Sequence, residues 1–102
     1  SKQREKLHIA AVISCNFTNH MLTISESLMK ENKIEFDLLK PLIKETLEKA
    51  LVNSPKKVQT GPAVRKDIEI VQKHINLLSY DKKLKELYSL ISKHIICSNS
   101  DE

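Results

Sequence analysis

A single glycine, Gly61, stands in the whole chain of 102 residues. A dinucleotide-binding turn packs several glycines against the pyrophosphate, so this chain cannot build one alone. Three prolines, two phenylalanines, two tyrosines and no tryptophan leave too few turn-formers and strand-formers for a sandwich or barrel. Only helices remain. Cysteine is also scarce: Cys15 and Cys97 lie far apart in apolar patterns and read as cytoplasmic thiols, not as a disulfide framework. Residues 9–25 carry no formal charge, but Ser14, Asn16, Thr18, Asn19, His20, Thr23 and Ser25 argue against membrane insertion, and no signal-peptide pattern is present. Pairs such as His94 with Cys97, or Cys15 with His20, lack a second pair at zinc-binding distance, so no metal is expected.

What is present is enough for one folded domain, expected over residues 1–102. Hydrophobic residues make up 40% and charged residues 29% of the sequence, with a net charge of +4 and a pI near 9.1. The basic residues are scattered (Lys2, Arg4, Lys6, then Lys56, Lys57, then Lys82, Lys83, Lys85) and read as solvated faces. A nucleic-acid partner is therefore not expected, although a basic helical binder is the third and weakest reading.

Apolar spacing predicts an all-α bundle of about four helices. The first runs from about Glu5 to Glu31, with a seam of Leu7, Ala10, Ser14, Phe17, Met21, Ile24 and Leu28. The second follows an N-cap at Asp37 and carries Leu38, Leu39, Leu42, Ile43, Leu47, Ala50 and Leu51, with Pro41 tolerated in its first turn. Residues 53–66 form the one substantial loop. Asp67 caps a third helix with Ile68, Val71, Ile75 and Leu78 inward. A fourth follows Asp81 with Leu84, Leu87, Tyr88, Ile91 and Ile95 inward, and the tail from Ser98 to Glu102 should fray.

The first helix carries the most information. About 27 residues span roughly 40 Å, long for so small a domain, so the helix must kink or protrude. Its first half is apolar nearly all round, because Ile9, Val12 and Ile13 form a second face beside the seam. Three short companions would struggle to cover it, which points to a second copy of the chain or to a missing neighbouring domain.

Two constellations could carry chemistry. At 100° per residue, Ile9, Ile13, Asn16, His20, Thr23 and Ser27 share one stripe, with Asn16 and His20 one turn apart. Such a polar pair either satisfies itself in packing, through a mutual bond or a backbone carbonyl, or meets a ligand. The second constellation is TGPAVRKD, Thr60 to Asp67. Gly61 can take positive φ, Pro62 stiffens the loop, and Arg65 can clamp a carboxylate or phosphate unless it pairs with Asp67. His8 and His74 read as structural or solvated.

The run HIAAVISCNFTNHM, followed by FDLLKPLIKETLEKAL, NSP and TGPAVRKD, resembles the C-terminal helical domain of a family of bacterial Rossmann-like oxidoreductases. That domain is catalogued as one of unknown function. The family is similar to pyrroline-5-carboxylate reductase, ketopantoate reductase and the 6-phosphogluconate dehydrogenase superfamily. The resemblance implies a homodimeric, substrate-binding half whose missing N-terminal Rossmann domain holds NADP. It implies that Asn16 and His20 face a cleft between the domains, with Thr60, Gly61 and Arg65 as its opposite wall. The substrate would be a small keto, imino, hydroxy or amino acid. His20 would exchange the proton, Asn16 would orient the reacting group and Arg65 would hold the acid. The family commonly has glycine between the arginine and aspartate of the loop, where this sequence has Lys66. The alternative is a stand-alone helical interaction module whose Asn16 and His20 set register without catalysis.

Overall fold

The computed structural model describes residues 1–99, which form helices joined by turns and loops, with no strand among them. The expected all-α class holds. The first helix is α1 (Lys2–Ala11), a π-helical turn (Val12–Phe17) and α2 (Thr18–Glu31) in one run. After it come α3 (Lys40–Val52), α4 (Ile68–Leu77) and α5 (Lys82–Ser98), with short 3-10 turns at Phe36–Leu38 and Pro55–Val58. The chain divides into two compact units, Ser1–Glu48 and Lys49–Glu102.

In the first unit, the opening helix begins earlier than the apolar pattern alone suggests. The Ser1 hydroxyl oxygen accepts the Arg4 N–H at 3.3 Å, and Glu5 adds negative charge to the first turn. Both favour a helix start. The π-helical turn then corrects the expected seam. A π turn closes i→i+5 bonds and holds one residue more than an α turn, so positions counted at a constant 100° lose register across it. Phe17 and Leu28 are exposed. The half-buried side contains Thr18, Leu22, Ser25 and Met29, each one position beyond an expected seam residue, together with Met21 and Ile24.

The helix ends in a Schellman motif. Lys33 takes φ 57°, its N–H donates to the Lys30 carbonyl at 3.1 Å, and the Ile34 N–H donates to the Met29 carbonyl at 2.9 Å. That pair of bonds satisfies carbonyls a helix end would otherwise leave open. The following helix departs from expectation at its cap. Asp37 lies in the 3-10 turn and pairs with the Lys40 ammonium at 2.7 Å, while α3 begins only at Lys40. The hydrogen bond and opposite charge of Asp37 raise the Lys40 pKa above its ordinary value. Pro41 falls in the first turn of α3 as expected, where its missing N–H costs no helix bond. Leu38, Leu42 and Leu51 are exposed rather than inward.

In the second unit, the expected caps are in place. The Asp67 carboxylate accepts the Ile70 N–H at 3.4 Å, and the Asp81 carboxylate accepts the Leu84 N–H at 3.1 Å. The core is small: among the described residues Ala63, Val71 and Leu78 are buried, and so is Ser92. Ile75 is half-buried. Ile68 is 55% exposed, because it sits in the first turn at the edge of the inward stripe of α4.

On α5, Leu84, Leu87, Tyr88 and Ile95 are half-buried as expected, while Ile91 is 39% exposed and Ser92 is buried. A polar contact joins this helix to α4. His74 Nδ1 on α4 and the Tyr88 hydroxyl on α5 lie 2.7 Å apart, and their rings meet edge-on at 5.8 Å between centroids. At the far end, the Lys56 ammonium donates to the Ser98 carbonyl and the Asn99 amide donates to Gln59 Oε1, both at 3.4 Å. These bonds tie the 3-10 turn and loop to α5. Helix α5 runs through Ser98, and the rest of the expected fraying tail, Ser100–Glu102, lies outside the described residues.

Burial raises the Tyr88 pKa above its ordinary value of 10.0, and a hydrogen bond from Ser92 opposes the shift. The folded chain therefore holds the phenolic proton more tightly than the unfolded chain does. The associated stability is complete below about pH 10 and is lost as pH rises through the folded value. Urea unfolding should show the wild type losing stability above that pH more steeply than Tyr88→Phe. At neutral pH the variant should be weaker by about 0.5–1 kcal/mol, for the partly exposed hydrogen bonds to His74 and Ser92 that it loses.

Candidate functional site

The opening helix presents Asn16 from the π-helical turn and His20 from the first turn and a half of α2. Both are exposed. A π turn of this kind recurs where helices carry function, because the wider turn re-aims the side chains it contains. Within it, the Ser14 hydroxyl donates to the Ala10 carbonyl at 2.8 Å, a local bond that competes with regular helix. Cys15 is exposed, with its sulfur 3.7 Å from the Ser14 hydroxyl oxygen. The bonds that a self-satisfied packing pair would make are not formed. Among the described residues, neither Asn16 nor His20 has a side-chain hydrogen bond, to the other or to a carbonyl.

The second constellation is a closed turn. Gly61 takes φ 108°, and a Cβ placed on it would meet nothing within 4 Å. Glycine is needed there for backbone conformation, not for space. From that point the Arg65 N–H donates to the Gly61 carbonyl at 3.4 Å, the Lys66 N–H to Ala63 at 3.0 Å and the Asp67 N–H to Pro62 at 2.8 Å. The last two bonds make a second Schellman motif, with Lys66 in the left-handed position at φ 57°. Thr60 and Arg65 are exposed and Gly61 is half-buried. The ion pair weighed between Arg65 and Asp67 is not formed, since the Asp67 carboxylate caps α4 instead.

The structure thus holds Asn16 with His20 in the first unit, and Thr60, Gly61 and Arg65 on one turn of the second. Two features escaped sequence reasoning. The π turn leaves no mark in apolar spacing beyond a broken register. Lys66 is visible in the sequence as a cation in the loop, but its backbone angle follows only from the hydrogen bonds around it.

The residues present do not fit a bound dinucleotide. A pyrophosphate cradle needs a strand, a glycine-rich turn and a helix N-terminus open to the anion. Among the described residues there is no strand. The N-termini of α1, α4 and α5 are each occupied by a side chain of this chain, from Ser1, Asp67 and Asp81. No group of three or more metal-binding side chains gathers among the described residues, and no described helix is long and apolar enough to cross a membrane.

The family described as Domain of unknown function (DUF2520) matches residues 1–95, and the chain belongs to that family. Among solved structures, the chain is similar to a crystal structure from Bacteroides fragilis of a protein named provisionally as an NADP oxidoreductase. The two share 43% identity at a TM-score of 0.88, over 93% of this chain. The chain spans 37% of the length of that protein. No curated protein matches the chain.

Two lysines in left-handed backbone give a direct test of the turn geometry. A side chain with a Cβ costs about 1 kcal/mol or more in that conformation, and glycine is free of the penalty. Lys66→Gly and Lys33→Gly should each stabilise the protein by about 0.5–1 kcal/mol, read as a rise in urea midpoint at unchanged slope. Gly61→Ala should do the opposite, through strain alone.

Proposed function

We propose that this member of the DUF2520 family is the C-terminal substrate-binding and dimerisation domain of an NADP-dependent oxidoreductase. The observation that carries the reading is the 43% identity, over 93% of the chain, to part of a protein named as an oxidoreductase of this cofactor. The dinucleotide is held by the rest of the longer protein, an N-terminal Rossmann domain, where it supplies hydride chemistry. The substrate is a small keto or imino acid, or the corresponding hydroxy or amino acid.

On this reading, residues 1–102 act as one domain and each candidate side chain has a defined task. His20 holds the proton exchanged at the oxygen or nitrogen of the reacting carbon, a role suited to imidazole because it gains and loses a proton near neutrality. Asn16 donates or accepts one hydrogen bond to orient that group. Thr60, Gly61 and Arg65 form a substrate-binding turn, where the guanidinium forks onto the substrate carboxylate. Availability supports these roles: Asn16, His20 and Arg65 are exposed, and among the described residues none is engaged by another side chain.

The dimerisation part rests on the opening helix. Leu7 is 71%, Ile13 55% and Phe17 54% exposed. Burying a large apolar side chain is worth about 1.5–3 kcal/mol. A second copy of the chain covers this surface. The same surface also favours the plainer reading, an interaction module without catalysis.

Turnover separates the two readings. The full-length protein should oxidise NADPH in the presence of keto or imino acids, and His20→Gln should lower the rate by about 10²–10⁴-fold. A His20→Gln variant with unchanged rate would remove His20 from the chemistry, and no oxidation with any acid would favour the module. Sedimentation at micromolar concentration should show a dimer; a monomer would end the dimerisation reading.

A further inference from the structure

We infer that a second copy of this chain closes one side of the site around His20, so that the site is complete only in the dimer. The inference rests on the proposed dimerisation and on the proposed role of His20, and adds that one surface serves both.

The first observation is the row in which His20 stands. Ile9, Ile13, Phe17, His20, Ile24 and Leu28 follow one another at steps of four, four, three, four and four residues. On an α-helix a step of four runs about 40° ahead and a step of three falls about 60° behind. The wider π turn offsets the drift between Ile13 and Phe17, so the six positions share about a quarter turn of the helix surface. Ile9 is 51%, Ile13 55%, Phe17 54% and Leu28 37% exposed, and Ile24 is half-buried. His20 is the polar member of this apolar row, and Asn16 stands four residues before it. Side chains three and four residues apart are neighbours on a helix. A surface that covers Phe17 therefore meets the imidazole as well.

The second observation identifies the cover. No residue of Ser1–Glu48 is buried, so the row is not covered from within its own unit. A ridge at four-residue spacing packs into the groove of another helix, and every copy of the chain carries the same ridge. A two-fold interface sets one patch against itself, which excludes a patch charged with one sign. The chain as a whole carries a net charge of +4, yet residues 9–25 carry no formal charge with histidine neutral. The area also suffices. Ile9, Ile13, Phe17 and Leu28 offer on the order of 350 Å² of apolar surface per copy. A standard interface takes about 800 Å² from each partner, a little over half of it apolar. Water leaves the row when the copies meet, and a hydrogen bond from the imidazole to a ligand strengthens in the drier setting.

Diethyl pyrocarbonate, which modifies accessible imidazole, tests the inference on the full-length protein at micromolar concentration. His94, which is exposed, serves as the reference, and sedimentation measures assembly. The protein should sediment as a dimer, with His20 reacting about ten-fold more slowly than His94. Phe17→Glu and Ile13→Glu alter half-exposed side chains and so should fold, giving monomers in which His20 reacts as fast as His94. Leu7→Glu, on the opposite side of the helix, should keep both the dimer and the protection. A dimer in which His20 is as reactive as His94, or one that persists in both row variants, overturns the inference alone, and so does a dimer that Leu7→Glu breaks as readily. Slow reaction of His20 in a monomer assigns the cover to the neighbouring domain and overturns it too. A monomer with freely reactive His20 ends the dimerisation reading and the inference with it.

Discussion

Apolar side chains around the circumference of one helix set the terms for the rest of this chain. A helix that is greasy on more than one face needs cover on more than one face, and from Lys2 to Glu31 no residue is buried. Helix α3 adds exposed leucines of its own and likewise has no buried residue. The buried apolar side chains, Ala63, Val71 and Leu78, all belong to the second unit. Small domains already bury a modest fraction of their surface. With so little interior, local devices carry much of the conformational specificity: Asp67 and Asp81 at helix starts, Schellman bonds around Lys33 and Lys66, and the His74–Tyr88 contact.

Those local devices explain which parts of the fold were legible in the sequence. A cap is a short-range interaction, so Asp67 and Asp81 could be recognised from the residues around them. The same holds for Pro41 in the first turn of α3 and for Gly61 at positive φ. Asp37 misled because an alternative partner, Lys40, lies three residues away and captures its carboxylate at 2.7 Å. Errors of facing arose around a turn that departs from an ideal helix and at the edge of a helix face. Beyond the π turn the expected seam holds at Met21 and Ile24, while Phe17 and Leu28 are exposed and Thr18 and Met29 are half-buried. On α5 the expected face holds at Leu84, Leu87, Tyr88 and Ile95, and only at its edge does Ser92 take the buried place while Ile91 is 39% exposed.

The candidate site was legible as residue types and not as an assembled place. Its parts fall on two units, with the histidine and asparagine on one and the arginine turn on the other. Side-chain chemistry singled them out, because a polar pair on an apolar helix and a cation beside a glycine–proline turn each call for an explanation. What the structure adds is their local condition. Asn16 and His20 are not consumed by each other, Arg65 is not consumed by Asp67, and the turn that carries Arg65 is closed by its own backbone bonds.

The opening helix also joins the two halves of the functional reading. Its apolar faces and its polar stripe share one backbone, so whatever covers Leu7, Ile9, Ile13 and Phe17 also fixes the setting of Asn16 and His20, which lie on the same run of turns. Cover that binds only the folded helix stabilises it by mass action. On a chain with so small an interior, that contribution is a large share of the total. On the proposed reading, association and chemistry are linked through the helix itself, because the free energy of covering its apolar side chains also steadies the turns that carry Asn16 and His20. The π turn carries both kinds of side chain, Val12, Ile13 and Phe17 with Asn16, and so sets how the apolar and polar faces of this helix are placed relative to each other.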